Sequence, residues 1–444
     1  MEIELISRES IKPSKPTPPH LNTHPLSFID YVVGRNYVPL VYFYPNKASK
    51  YDDDENQKGS NNKISTLKKS LSDVLSIYYP FAGRLRDQVS IECNDQGVLL
   101  LVTKIKSKLL KILQNPSESL LKPLFPDDLP WKAMGSSSDE SIIAIQINNF
   151  ECGGIAISVC MSHKVGDGST LFNFVNDWAT VARNNNANEE EGLPVPPELH
   201  AGALAIPLSD LPDFPERAIV KQNTLCRRLV FDGSKIESLK AIVSSHNVEN
   251  PSRVELVTAL IYKHAISSLK LSNNTPLRVA ANLRRRMVPP LPQKSIGNWV
   301  WSFPVPRENE ETELHQLVTK IREGLNEFCD KTVKNFGNLA FVSDFLKQIT
   351  SLPKQNDEVT IVKPITLFFF ASWCKLPTYE VDFGWGKPIW VTSIGSPVKN
   401  SVVLMDARDG NGIEAFVNME VQDLAIFESD VELLQYASLN PKII

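Results

Sequence analysis

Two apolar runs meeting at Gly153-Gly154, followed by Ser162-His163-Lys164-Val165-Gly166-Asp167-Gly168, constrain this chain more than any other stretch. From Ser141 to Phe150, Ile143, Ile145 and Ile147 alternate with Ala144, Gln146 and Asn148, the period of two that marks a half-buried strand. Gly153-Gly154 reads as a tight hairpin turn. The return run sets large Ile155, Ile157, Val159 and Met161 against small Ala156, Ser158, Cys160 and Ser162, so His163 continues the large face as the last inward residue of a strand. Gly166 and Gly168 interrupt regular structure. Beyond Ser169 the spacing changes to Leu171, Phe174, Val175, Trp178 and Val181, an amphipathic helix. A lone histidine therefore stands where a strand ends, a sharp turn follows and a helix begins.

Three chemistries fit His163 and Asp167. On one helix, residues four apart share a face and could bind a metal, but two glycines argue against a helix and no third ligand stands nearby. Asp167 could orient His163 directly, as in a hydrolase triad, but no GxSxG nucleophile elbow exists to complete one. In the third, His163 is a base acting alone while Asp167 turns away and anchors the loop through an arginine. From these residues alone, a histidine merely satisfied within a core accounts for the motif equally well.

At 444 residues the chain is long enough for two domains, each with its own core. A 42% apolar and 22% charged composition is that of a soluble globular protein. The net charge of −4 points to neither nucleic acid nor an anionic membrane as partner. No run approaches the ~20 apolar residues a bilayer requires, and the start lacks a basic segment followed by an apolar one. The six cysteines lack CxxC spacing, which predicts reduced thiols and a cytoplasmic location.

Residues 184–217 read as a crossover linker, passing through Asn184-Asn185-Asn186, Glu189-Glu190-Glu191 and Leu193-Pro194-Val195-Pro196-Pro197. They separate an N-terminal domain, 1–183, from a C-terminal domain, 218–444, with part of 360–400 expected to pack against the first. The acidic and polar insert Tyr51 to Asn62 is expected to be mobile, followed by a helix carrying Ile64, Leu67, Leu71, Val74 and Leu75. Ser252 and Glu255 form a capping-box pattern before Val257, Leu260 and Ile261. A further helix carries Leu314, Leu317, Val318, Ile321 and Leu325, and Ile365 to Phe370 and Ser401 to Met405 are strand-like. The fold class is α/β, in two similar layers joined by one long crossover.

Asp382-Phe383-Gly384-Trp385-Gly386 reads alone as a turn with aromatic packing. Its DFG is not that of a kinase, because the chain has neither a glycine-rich loop, a VAIK lysine nor an HRD sequence. HxxxDG at 163–168 followed far downstream by DFGWG at 382–386 resembles the BAHD family of plant acyl-CoA-dependent acyltransferases. Phe43-Tyr44-Pro45, Tyr79-Pro80-Phe81-Ala82-Gly83-Arg84, Asn282-Leu283-Arg284 and Gly297-Asn298 match in the family's order, so the resemblance spans nearly the whole chain. Phe150-Glu151-Cys152-Gly153-Gly154, Ser372-Trp373-Cys374 and Leu404-Met405-Asp406 resemble its alkaloid acetyltransferase branch.

The resemblance implies two domains of chloramphenicol-acetyltransferase-like fold, with a solvent channel between them that reaches His163 from both ends. It implies acyl-CoA as co-substrate, acetyl-CoA being the expected donor, with no permanently bound cofactor and no metal. His163 is then the general base toward a small-molecule alcohol, and direct transfer in a ternary complex needs no acyl-enzyme. The family assigns the oxyanion donor to the indole N–H of Trp373, for which packing is an equal account. Asp167 is implied to pair with Arg284 and hold the histidine loop, while Asp382, Gly384 and Trp385 belong to the architecture. Ser252 is a candidate phosphate contact at a helix start, where a plain cap serves as well. The protein is expected to be monomeric. The expected activity is acylation, acetyl first, of a hydroxyl on a plant specialised metabolite such as an alkaloid or terpenoid. The alternatives are a bulkier acyl group such as benzoyl or hydroxycinnamoyl, an amine acceptor, or an inactive relative that only binds a ligand or partner.

Overall fold

The computed structural model describes residues 1–46, 53–126, 129–132, 139–187, 194–199, 223–271, 275–306, 313–336, 338–350 and 367–444. The predicted hairpin forms the middle of a six-stranded sheet ordered Ile3–Ile11, Val98–Ile105, Ile143–Phe150, Ile155–Ser162, Tyr37–Tyr44 and Trp390–Thr392. Ile147 faces Ile157 across the antiparallel pair, and Gly153 takes φ +74° in the connecting turn. The alternation of Ile143 to Phe150 predicted one solvated face, but both faces are buried. The reason lies in its polar residues. Asn148 donates to the carbonyl of Leu124 at 2.9 Å and accepts from Gln146 at 2.8 Å and Thr103 at 2.9 Å, so the segment before the hairpin covers Gln146 and Asn148 through hydrogen bonds.

A second sheet of seven strands runs Val300–Pro304, Leu277–Asn282, Phe368–Ser372, Ser401–Asp406, Ile413–Glu420, Thr224–Phe231 and Ser438–Leu439. Each sheet supports its own apolar core. The two halves also exchange segments. Trp390–Thr392, from the second half, closes the edge of the first sheet against Val41 to Phe43. Phe28 and Ile29, from the first half, are buried in the second core, where Phe28 meets Phe336 edge-on at 5.3 Å.

Two expectations need correction. The acidic insert is helical from Asp53, in one helix Asp53–Leu75 whose end buries Leu67, Leu71, Val74 and Leu75 completely. A helix so anchored extends at low cost, because each added residue gains a hydrogen bond without a new nucleus. Asn184 to Asn186 likewise complete the helix Gly168–Ala187 rather than opening a linker, and Asn185 donates to Asp73 at 3.1 Å. These two helices pack together through Trp178, whose indole N–H donates to the Leu67 carbonyl at 3.2 Å and to the Ser70 hydroxyl at 3.1 Å. Of the expected linker, residues 194–199 are tied to the second half, with Ile296 N–H donating to the Glu198 carbonyl at 2.9 Å. The rest, and Ile365 in the strand-like run, lie outside the described residues.

Candidate active site

The strand ends one residue earlier than expected. Ser162 is its last member and His163 opens a short 3-10 turn, His163–Val165, that delivers the chain to the helix starting at Gly168. The backbone of His163 is held on both sides: its N–H donates to the Asn36 carbonyl at 2.7 Å, and its carbonyl accepts from the Asn298 amide at 2.6 Å. The ring is half-buried, and Nδ1 has no hydrogen-bond partner among the described residues. Among the described residues no carboxylate hydrogen-bonds the imidazole, so the triad arrangement does not form there.

Asp167 is committed elsewhere. It is buried and paired with Arg284, which is 0% exposed, through Nη1 to Oδ2 at 2.7 Å and Nη2 to Oδ1 at 3.0 Å. Oδ1 also accepts from Thr170 N–H at 3.0 Å and Oδ2 from Trp299 N–H at 2.9 Å. Arg284 spends its remaining donors on the carbonyls of Ser295 at 2.8 Å and Gly297 at 3.2 Å. Burial pushes the Asp167 carboxyl up, but the guanidinium and these hydrogen bonds outweigh it and hold the group below the usual carboxylate range. The fork geometry is what makes a desolvated pair tolerable. Arg285 and Arg286 are exposed and do not join this cluster.

The glycines act through space rather than through unusual dihedrals. Gly166 is extended at φ 174°, and a Cβ there would lie 2.5 Å from Thr170 Cγ2. A Cβ on Gly168 would lie 2.8 Å from the indole nitrogen of Trp373. Trp373 is therefore seated directly on the first turn after the histidine loop. Its own loop is held by Trp373 N–H to the Leu404 carbonyl at 2.7 Å and by Lys375 N–H to Asp406 at 2.6 Å. Asp406 in turn pairs with Arg253 at 3.0 Å, a use of the Leu404-Met405-Asp406 segment that no local pattern announces.

The other predicted residues lie apart from this cluster. The hydroxyl of Ser252 accepts from Glu255 N–H at 3.2 Å and its N–H donates to the Glu255 carboxylate at 2.6 Å, the full capping box. Arg322 also binds that carboxylate, at 2.8 Å. Asp382 accepts from Gly384 N–H and Gly386 N–H, both at 2.8 Å, in a turn where these glycines take φ +106° and +107°. Only glycine adopts such angles freely. Phe383 is fully buried, edge-on to Trp178 at 4.9 Å and stacked on Trp385 at 5.6 Å. The turn thus grips the helix Gly168–Ala187 just before Trp390 enters the first sheet. Among the described residues no group of three or more His, Cys, Asp or Glu could hold a metal ion.

Sequence comparison extends the picture. A profile of the Transferase family matches residues 1–434. The chain is 38% identical to a 17,18-epoxy-17-hydroxycur-19-ene N-malonyltransferase of Strychnos nux-vomica, over 99% of this chain and 91% of that protein. It is 34% identical to a limonoid 1-O-acetyltransferase of Citrus sinensis over the full length of both. The crystal structure of vinorine synthase superposes with a TM-score of 0.82 at 32% identity, covering 98% of this chain and 99% of that one.

Proposed function

The chain belongs to the BAHD family of plant acyl-CoA-dependent acyltransferases and is an acyl-CoA-dependent O-acyltransferase, and we propose that it moves an acetyl group from acetyl-CoA to a hydroxyl of an alkaloid or terpenoid with His163 as a solitary general base. The observation that supports this most is the division of labour in the histidine loop. Asp167 is spent on Arg284, and among the described residues His163 is held through its backbone while Nδ1 of the ring has no partner.

Neutral imidazole is the side chain best matched to accept a proton near neutral pH. The acceptor O–H gives its proton to His163 as the oxygen bonds to the thioester carbonyl carbon. The C–S bond then breaks, and the departing CoA sulfur takes that proton back from the imidazolium. The thioester is already activated, so no covalent acyl-enzyme is required. Trp373 is proposed to donate its indole N–H to the oxyanion, a role supported by its seat over Gly168. Substrates are proposed to reach His163 through a passage between the two halves, because the loop lies where Gly166 pairs with Gly297 across them. A CoA phosphate at Ser252 would have to displace the Glu255 carboxylate. The proposed setting is a cytosolic monomer, in keeping with six free thiols. Among the described residues no helix is long and apolar enough to cross a membrane.

A second reading keeps the mechanism and changes the substrates to a malonyl donor and an amine, which the 38% identical N-malonyltransferase favours. Incubation with acetyl-CoA or malonyl-CoA and a pool of plant alcohols and amines, with thiol release and product mass followed, separates the two. No thiol release with any donor, together with no CoA binding by calorimetry, would refute both.

A further inference from the structure

The ring of His163 has no partner at Nδ1 among the described residues, so its aim has to come from the main chain. One of the two direct holds is the Asn298 amide, which is completely buried. Asn298 is itself fixed by Asp30, whose Oδ1 accepts from Asn298 N–H at 2.6 Å and from its side-chain Nδ2 at 2.8 Å. The second oxygen of Asp30 accepts from Ser27 N–H at 2.8 Å and Ser27 Oγ at 2.7 Å. Asp30 is 2% exposed and forms no ion pair among the described residues. Burial pushes its carboxyl up against the pull of these hydrogen bonds, and the net direction is upward.

A buried carboxyl without a cationic partner is costly, and capping the five-residue helix Phe28–Val32 would not require one. What demands it is the donor count. Only a group with two acceptor oxygens can receive both Asn298 donors and both Ser27 donors, whereas an amide would turn an NH2 toward one pair. The strip Gly297-Asn298-Trp299 is thereby gripped from two sides. Asp30 holds Asn298 on one side, and Asp167 accepts from Trp299 N–H on the other, at 2.9 Å. Gly297 has to be glycine here: its φ is +106°, and a Cβ would sit 3.2 Å from Asp30 Oδ2.

We propose that Asp30 is a positioning residue for acyl transfer, acting through Asn298 on the His163 carbonyl to set the direction of the imidazole. The inference rests on His163 being the base, as proposed above. The full chain is compared with Asp30→Asn, Asn298→Ala, the double variant of these two, and Ser27→Ala. Thiol release is followed with acetyl-CoA and the acceptor found in the pool, and the His163 ring resonance is followed in carbon-13 histidine-labelled protein, assigned by its loss in His163→Gln. Asp30→Asn and Asn298→Ala are each expected to lower kcat about 10- to 100-fold, the scale of a sub-ångström to ångström misplacement. The KM for acetyl-CoA is expected to stay within about threefold, because ground-state binding is untouched. Both variants shift or broaden the His163 resonance. The double variant is no slower than Asn298→Ala, because the two changes break one connection. Ser27→Ala loses a cap bond and lowers the melting temperature comparably, yet keeps kcat within about twofold, since the Asn298 link survives. If kcat merely tracks melting temperature across the set, if the single losses multiply in the double variant, or if the resonance stays in place, the proposal is overturned. Where Asp30→Asn does not fold, Asn298→Ala against Ser27→Ala decides the matter. Wild-type protein that releases no thiol with any acceptor counts against the acyltransferase reading instead, and the resonance still decides the positioning.

Discussion

HxxxDG and DFGWG each place an aspartate among glycines, but the two aspartates do opposite things. Asp167 reaches across the molecule to Arg284 and the strip at 297–299, so it joins the two halves at the histidine. Asp382 folds back on its own turn, accepting from Gly384 and Gly386. The glycines differ in the same way. Those of DFGWG are needed for their positive φ, while Gly166 and Gly168 are needed because Thr170 and Trp373 occupy the space a side chain would fill. One motif is a long-range junction and the other a local clamp, a distinction that spacing alone does not carry.

The largest effect expected is the loss of acyl transfer in His163→Ala, by about 10²- to 10⁴-fold, with the melting temperature little changed; thiol release and a thermal scan measure both. A variant that retained most of its rate would remove the chemistry from this loop. Next comes the junction itself. Asp167→Ala or Arg284→Met leaves a buried charge unpaired and is expected to cost ~3–5 kcal/mol, seen as lower folding yield and an earlier denaturant midpoint as well as a lower rate. Full stability with no activity would instead make Asp167 a direct participant. Gly168→Ala forces the indole of Trp373 aside and is expected to cost about 1–3 kcal/mol, with a rate loss that Trp373→Phe reproduces if the indole N–H serves the oxyanion.

Acid unfolding sharpens the contrast further. The folded carboxyl of Asp167 titrates lower than in the unfolded chain, so its stabilisation is present above the unfolded value, about pH 4, and is lost as pH falls through the folded one. Asp167→Asn should therefore flatten the stability curve below about pH 4, measured by denaturant titration at stepped pH; an unchanged slope would place the acid sensitivity elsewhere. The smallest effect belongs to Asp382→Ala, expected to lose about 1–2 kcal/mol for two turn hydrogen bonds while kcat per folded molecule stays unchanged. A selective fall in kcat there would erase the distinction between junction and clamp.

The hairpin, the helix after it and the Ser252–Glu255 cap are legible along the chain because each depends on neighbours within a few residues. Apolar period and capping chemistry are local physics. The family was legible too, since two spaced motifs and several shorter matches agree in order. Periodicity misjudged the solvation of Ile143 to Phe150, and polar composition set the helix start after 53–62, because neither reads what the segment is attached to or packed against. Asp30 gave no signal beyond a Ser27-x-x-Asp30 cap pattern, and its second role needs Asn298, brought to it from 268 positions away. The entry of Trp390–Thr392 into the first sheet and the seat of Trp373 on Gly168 are of the same kind. Which residues could make a strand, a turn or a base is written in their order, but burial, charge pairing and the aim of the imidazole are properties of contacts between distant segments, and those exist only once the chain has folded.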